Sequence, residues 1–276
     1  MRKTNVRTIW QKAHNNEPIV AITAYDYFTA KYADEAGVDI VLIGDSVEMV
    51  VYGRETTHTA TMEKMIYHTE AVAAAVKNAM VVGDMPFMSY HGSIQKAVEN
   101  AGRFIRAGAQ AVKLEGGVTV AEKVRRIVEC GIPVMGHIGL TPQSIHQFGG
   151  FKVQGRTPEA AIRLVKDAQA LEEAGAFAIV LETVPAPLAT LITQKISIPT
   201  IGIGAGIGCD GQVQVINDIL GSFSDFVPKH AKQYVKLIDI MSSAIAEYYD
   251  EVKTGKFPTD KQSFTMDESI LAELKG

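Results

Sequence analysis

The chain has 276 residues, 47% of them hydrophobic and 21% charged, with a formal net charge of −4. This is globular rather than disordered composition, and a chain of this length buries roughly three quarters of its unfolded surface. The slight acidic excess excludes the basic face of a nucleic-acid binder. Two cysteines, Cys130 and Cys209, with no CxxC spacing exclude a disulfide framework or structural zinc site.

Residues 1–18, MRKTNVRTIWQKAHNNEP, are basic but have no apolar h-region behind them. They read as a capping helix rather than an export signal. No run approaches the roughly 20 apolar residues of a membrane span, so a cytoplasmic protein is expected. From residue 19 onward one phrase recurs: a helix closing on Ala-Gly or Cys-Gly, a short apolar run, then a polar residue. It reads EAGVDIVLIGD (35–45), RAGAQAVKLEG (106–116), ECGIPVMGHIG (129–139) and EAGAFAIVLET (173–183). The glycine suits the left-handed position just past a helix. The run after it is too short for a helix and continuously apolar, as a strand covered on both faces must be. Runs of the same kind are IVAIT (19–23), MVVGD (80–84), PTIGIG (199–204) and the weaker DFV (225–227).

Between them lie stretches with apolar residues at three- and four-residue spacing, such as MEKMIYHTEAVAAAVKNA, AEKVRRIVEC and PEAAIRLVKDAQALEEAG. Strand and helix alternate from end to end, which implies parallel strands with crossover helices. Eight such units in one domain close most naturally as a (β/α)8 TIM barrel; an open doubly wound sheet is the competing arrangement. The expected organisation is one domain over 1–276, the barrel at about 19–250, and a peripheral tail after about 253.

In a barrel, chemistry collects at the C-terminal ends of the strands. Those positions hold Asp45, Asp84, Glu115, His137 and Glu182, one from each of strands two to six. A single acid there can be a solvated loop residue. Four carboxylates and a histidine converging on one mouth repel one another unless a cation sits among them, and hard oxygen donors favour Mg²⁺ or a similar ion. Lys113, two residues before Glu115, should point to the same side, into the barrel. It could anchor a substrate carboxylate, form a Schiff base, or make a structural ion pair. Tyr25 and Asp26 close strand one and Ser46 follows Asp45.

The segment GHIGLTPQSIHQFGGFKVQGRTPEAA is too long for a plain connector and reads as a substrate lid or binding loop. Within it His146 reads as a loop hydrogen-bonder. Trp10, Phe87 and Phe151 read as packing residues. In GIGAGIGCDG (202–211), Gly206, Gly208 and Gly211 match GxGxxG. A dinucleotide fingerprint belongs to the first βα unit of its fold, so this stretch reads instead as a tight turn after strand seven, where barrels also bind phosphate.

The phrases ITAYD (22–26), GDSV (44–47), MVVYG (49–53), GDMPF with SY (83–90), VKLEGG (112–117), GHIGLTPQS (136–144), GGFKVQGR (149–156) and IGIGAG (201–206) occur in this order. In them the chain resembles the ketopantoate hydroxymethyltransferase family from about residue 5 to residue 250. The pair GHIGLTPQS and GGFKVQGR is highly specific; the glycine turn and Ala-Gly phrases are not. The resemblance implies a barrel of the phosphoenolpyruvate/pyruvate-type superfamily, Mg²⁺, and a role in pantothenate synthesis. The implied reaction moves a hydroxymethyl group from 5,10-methylenetetrahydrofolate to C3 of 3-methyl-2-oxobutanoate, giving 2-dehydropantoate. Carried over by motif, Asp45, Asp84 and Glu115 would bind the metal. Ser46 and Lys113, with Asp45 and Asp84, would contact the oxo acid, and Glu182 would accept the proton. His137 and Tyr25 join the substrate-binding set by position, His137 as a residue that helps position or shield the site. The family also implies a homo-oligomer, a homodecamer, working on small molecules; charge and the lack of a long apolar run set the expectation of no nucleic-acid or membrane partner.

Two positions depart from the pattern: Glu48 where a small residue is expected, and LETVP where LECVP is common. Glu48 puts affinity for the one-carbon donor in doubt. The alternative reading is a Mg²⁺-dependent 2-oxo acid lyase or mutase of the same superfamily, which leaves GHIGLTPQS and GGFKVQGR unexplained.

Overall fold

The computed structural model describes residues 3–223 and 227–275. The chain enters through α1 (Val6–His14), where the Asn5 side chain accepts the Thr8 N–H and the Thr8 hydroxyl accepts the Asn5 N–H. These bonds satisfy donors that a helix start leaves orphaned. Ile9 of this helix is fully buried against the barrel interior, clustered with Ile19, Ile40 and Met80. The expected capping helix therefore closes the bottom of the barrel, and Trp10 beside it donates its indole N–H to Phe177 O at 2.7 Å.

The first half of the barrel runs β1 (Ile19–Thr23), α2 (Tyr27–Glu35), β2 (Ile40–Ile43), a short α3 (Val47–Val50), α4 (Met62–Ala75), β3 (Met80–Asp84), α5 (Ile94–Arg106), β4 (Ala111–Glu115) and α6 (Ala121–Glu129). Next come β5 (Val134–Gly139), the single turn α7 (Ile145–Phe148), α8 (Pro158–Glu173), β6 (Ala178–Glu182), α9 (Ala186–Lys195), β7 (Thr200–Ile203) and β8 (Gly211–Gln214). All strand pairings are parallel, and β1 pairs with both β2 and β8, so the sheet closes in sequential order. The four recurring phrases end α2, α5, α6 and α8 with Gly37, Gly108, Gly131 and Gly175, at φ between 83° and 103°, the left-handed region expected of them.

The eighth strand differs from the expectation. Asp225 and Phe226 of the DFV run lie outside the described residues, and the barrel closes instead on Gly211–Gln214. This strand hides at the end of the glycine-rich turn because its pattern is polar, with only Gly211 and Val213 buried. A Cβ on Gly211 would stand 2.4 Å from Ile19 O, so the residue is small because β1 passes so close. After the barrel follow α10 (Ile216–Leu220), α11 (Leu237–Lys253) and α12 (Glu268–Lys275). No residue of α11 is buried against the described chain, and no described helix is long and apolar enough to cross a membrane.

Strand parity arranges the interior in layers. Ala111, Lys113 and Glu115 of β4 face inward, as do Met80, Val82 and Asp84 of β3. Their alternates face the helices: a Cβ on Gly83 would meet the Phe104 ring at 2.3 Å, showing how tightly α5 lies on β3. The lower interior is apolar, with Ala21, Leu42, Val82, Met135, Val180 and Ile201, and the charged residues form the layer above it.

Asp34 on α2 sets the start of β3. Its buried carboxylate accepts the backbone N–H groups of Lys77, Asn78 and Ala79 at 2.7–3.0 Å. Burial alone would raise its pKa, but these donors together hold it below 3.8. A depressed folded-state pKa contributes stability that is complete above the unfolded value and lost as pH falls through the folded one. Asp34→Ala should therefore cost about 3 kcal/mol in urea unfolding at pH 7, with the gap to wild type narrowing below pH 3.8. An equal gap at pH 3 and pH 7 would show that the charge is not what matters.

Candidate active site

The register of the barrel brings the sequence-predicted residues together. Asp84 is paired with Lys113 across β3 and β4, and Glu115 with His137 across β4 and β5. Lys113 lies between the acids: its Nζ donates to both oxygens of Asp84 at 2.8 Å and stands 4.0 Å from Glu115 Oε1. Asp45, in the turn after β2, directs its backbone N–H to Asp84 Oδ2 at 3.3 Å. On the other side His137 Nδ1 is 3.4 Å from Glu115 Oε1 and Nε2 is 3.3 Å from Glu182 Oε2. The result is an arc from β2 to β6: Asp45, Asp84, Lys113, Glu115, His137, Glu182. All are buried except Glu182, whose side chain is 17% exposed.

Beside Asp45, the Tyr25 hydroxyl and Ser46 Oγ are 2.8 Å apart, which places both on the β1–β2 side of the mouth. Asp26 stands apart, capping α2 through the N–H groups of Phe28 and Thr29. His146 takes part in loop hydrogen bonding through its carbonyl, which accepts the Gly149 N–H; its side chain makes no hydrogen bond among the described residues but is exposed and stacks on His58 with centroids 4.8 Å apart. Phe87 packs edge-on against His58, whereas Phe151 is 59% exposed. The concavities lined by Trp10 and His14 lie at the opposite end of the barrel and hold none of these groups.

The electrostatics follow from burial. Burial lifts the Asp45 carboxyl well above the usual range, and the charges of Asp84 and Glu115 add to that. Burial also raises Asp84, though Lys113 offsets part of the effect. Glu115 is held low despite its burial, because His137 and Lys113 flank it. Burial and Lys113 both oppose a charge on His137, yet Glu115 and Glu182 on either side hold its pKa at about 9. Burial opposes a charge on Lys113 too, but the surrounding acids raise its pKa further. A lysine held so firmly protonated is no Schiff-base nucleophile, which needs a free amine, and the ion pair with Asp84 is the role observed.

Two residues that the sequence reading missed tie this arc together. Gln143, from the turn Pro142–Ser144 after β5, donates its side-chain N–H to Asp45 Oδ2 at 2.9 Å and its backbone N–H to Glu115 Oε2 at 3.0 Å. The Tyr90 hydroxyl meets Gln143 Oε1 at 2.7 Å and accepts the Glu115 backbone N–H at 3.0 Å. Part of the long segment is thus fixed in the site. The signal for Gln143 was the phrase GHIGLTPQS itself; Tyr90 lay in the SY of the GDMPF stretch.

Fit to a cation can be judged from the donors. Glu115 Oε1 and both His137 ring nitrogens are buried with no hydrogen-bond partner among the described residues, the charged contacts between them falling outside hydrogen-bond geometry. Three carboxylates with one oxygen unbonded suit a hard divalent ion. No three His, Cys, Asp or Glu groups are already gathered as a cage among the described residues; Lys113 holds both oxygens of Asp84.

A family model described as ketopantoate hydroxymethyltransferase matches residues 3–260. Similar curated proteins are 3-methyl-2-oxobutanoate hydroxymethyltransferases. One from Dehalococcoides mccartyi is 58% identical, covering 99% of this chain and 97% of that protein. One from Clostridium novyi is 57% identical over 98% of this chain and 99% of that protein. Among solved structures, phosphonopyruvate hydrolase has a TM-score of 0.61 at 14% identity, covering 98% of this chain and 94% of that one. 2,3-Dimethylmalate lyase, a member of the PEP mutase/isocitrate lyase superfamily, has a TM-score of 0.57 at 18% identity, covering 99% of each chain. At such identity the likeness shows the barrel fold.

The ion pair at the centre of the arc makes a specific demand on stability. Lys113→Met should lower the unfolding free energy by about 3–5 kcal/mol at pH 7, because buried carboxylates lose their ammonium partner. Uncompensated acids have raised folded-state pKa values and destabilise most when ionised, so the deficit should shrink as pH is lowered towards 5. Guanidinium unfolding at the two pH values tests this; a deficit independent of pH would assign Lys113 a packing role only.

Proposed function

The chain belongs to the ketopantoate hydroxymethyltransferase family, and on that premise we propose that it transfers a hydroxymethyl group from 5,10-methylenetetrahydrofolate to C3 of 3-methyl-2-oxobutanoate, giving 2-dehydropantoate. Family membership at this identity also weighs against the lyase or mutase alternative. The observation that carries the reading is the asymmetry of the arc. Lys113 and three buried acids occupy one side, and the partly open carboxylate of Glu182 stands beyond His137 on the other.

Asp45, Asp84 and Glu115 would hold Mg²⁺. Bound there, the ion would act as a Lewis acid on the 2-oxo acid and ease loss of its C3 proton. Ser46, whose hydroxyl is fixed by Tyr25 at 2.8 Å, and Lys113 bind and orient the oxo acid. Lys113 contributes a positive charge that the surrounding acids keep in place. Glu182 Oε takes the proton from C3, and its backbone is held for that task by Leu140 N–H donating to Glu182 O at 2.8 Å. His137 fixes the carboxylate from the side facing away from solvent. His146 and Phe151, exposed in the long segment after β5, would be available to the second, larger substrate. A homo-oligomer is supported by α11, whose exposed Ile240, Ile245 and Tyr248 a second copy of the chain would cover. These are roles inside a small-molecule enzyme of the cytoplasm.

The decisive experiment follows the C3 proton of 3-methyl-2-oxobutanoate by NMR in D₂O with Mg²⁺, and product formation when the folate donor is added. Wild-type protein should exchange the proton and make 2-dehydropantoate, and a chelator should stop both. Glu182→Gln should slow exchange and turnover by about 10²–10⁴-fold, while Mg²⁺ and oxo-acid binding stay within a few fold. Asp84→Ala should instead weaken Mg²⁺-dependent oxo-acid binding. Wild-type rates in Glu182→Gln would end its assignment as the base.

A further inference from the structure

We propose that Gln143 is the positioning residue for the cation-binding carboxylates, held in place by Tyr90 and His58. The inference rests on reading Asp45, Asp84 and Glu115 as the cation site. Gln143 is 3% exposed, and each of its polar groups is engaged. The side-chain N–H₂ donates to Asp45 Oδ2 at 2.9 Å and Met85 O at 3.0 Å; Oε1 accepts from Tyr90; the backbone N–H donates to Glu115 Oε2. Its carbonyl faces His58 Nε2 at 2.9 Å.

This pattern is more than hydrogen-bond satisfaction of a buried amide. Gln143 takes one oxygen of Asp45, in the turn after β2, and one of Glu115, at the end of β4, and leaves Glu115 Oε1 unbonded among the described residues. A carboxylate with one oxygen pinned has its plane and its remaining oxygen aimed, which is how outer partners orient metal ligands. The amide cannot flip without setting its N–H₂ against the Tyr90 hydroxyl and its oxygen against Asp45, so its orientation is set by the partners. Tyr90 is fully buried and locked in turn by the Glu115 backbone, whose N–H it accepts.

His58 acts from outside. The acceptor opposite Nε2 is a carbonyl, so that nitrogen carries the proton. The ring is braced by His146 stacked at 14° and by Phe87 edge-on at 4.7 Å. Thus a residue of the loop between α3 and α4 fixes the turn after β5, and through Gln143 the ligands on β4 and after β2.

The test is Mg²⁺ binding by calorimetry on the intact protein, with wild type, Gln143→Met and His58→Phe, and urea unfolding alongside. Gln143→Met should weaken Mg²⁺ binding by about 10- to 100-fold, with kcat recovering once Mg²⁺ exceeds the new Kd. His58→Phe keeps the ring contacts but loses the N–H, and should weaken binding by about 2- to 10-fold, the equivalent of one neutral hydrogen bond. A purely structural role would lower stability and leave the Mg²⁺ Kd unchanged in both variants, which overturns the proposal. If Gln143→Met does not fold, His58→Phe decides by the same criterion. Wild-type protein that binds no Mg²⁺ overturns the cation reading itself, an outcome separate from equal binding by wild type and variants.

Discussion

Carboxylates cannot crowd into a dry pocket at neutral pH unless positive charge is built in beside them. Here that charge is Lys113, inserted from β4 with both Asp84 oxygens at 2.8 Å. His137, flanked by Glu115 and Glu182 and held at a pKa of about 9, supplies a second. The layer sets four carboxyl groups, those of Asp45, Asp84, Glu115 and Glu182, against these two cations. Burial lifts the Asp45 carboxyl well above the usual range, the charges of Asp84 and Glu115 add to it, and Lys113, which does not touch Asp45, offsets only part. Positive charge is therefore scarcest at the β2 end of the arc.

This charge layer exists because of parity and register, and both are written in the sequence. Residues two apart on a strand share a face, so VKLEG commits Lys113 and Glu115 to one interior as soon as β4 is recognised. The continuous apolar runs identify strands covered on both sides, and the Ala-Gly phrases mark where each helix stops. Seven strands were legible on those grounds. β8 was not, because Gly211–Gln214 alternates between buried and open positions, with Gln212 exposed. Its short pairing to β7 and β1 depends on a glycine that lets β1 approach rather than on apolar bulk.

The acids were legible because charge at the end of an apolar run is conspicuous. Their supports were not, for a physical reason. Gln143 and Tyr90 are neutral, both lie outside the strands, and their importance comes from which atoms meet between the turns after β2, β3 and β5 and the end of β4. No periodicity encodes that, and only the folded chain brings Gln143 within reach of Asp45, 98 positions away. Lys113 was legible as an inward residue but not in its role; the choice between ion pair and Schiff base turns on how many acids surround the ammonium, which is a property of the assembled mouth.

Glu48 shows how a departure in sequence can be absorbed. Its carboxylate is fully buried, which alone would raise its pKa, yet Lys64 at 2.7 Å and the Thr59 hydroxyl hold it low. It points to α4, not to the acid arc. Removing Lys64 alone would leave a buried charge unpaired, which costs more than the pair contributes, so Glu48, Thr59 and Lys64 are coupled and belong together as a set. Their side chains pin the loop between α3 and α4, and that loop carries His58, whose ring N–H holds the Gln143 carbonyl at 2.9 Å. Glu48 thus joins the chain of contacts that fixes Asp45 and Glu115 through its side chain as well as through its backbone N–H, which donates to Asp45 O at 3.1 Å. Tolerance of a carboxylate at position 48 therefore depends on residues 59 and 64.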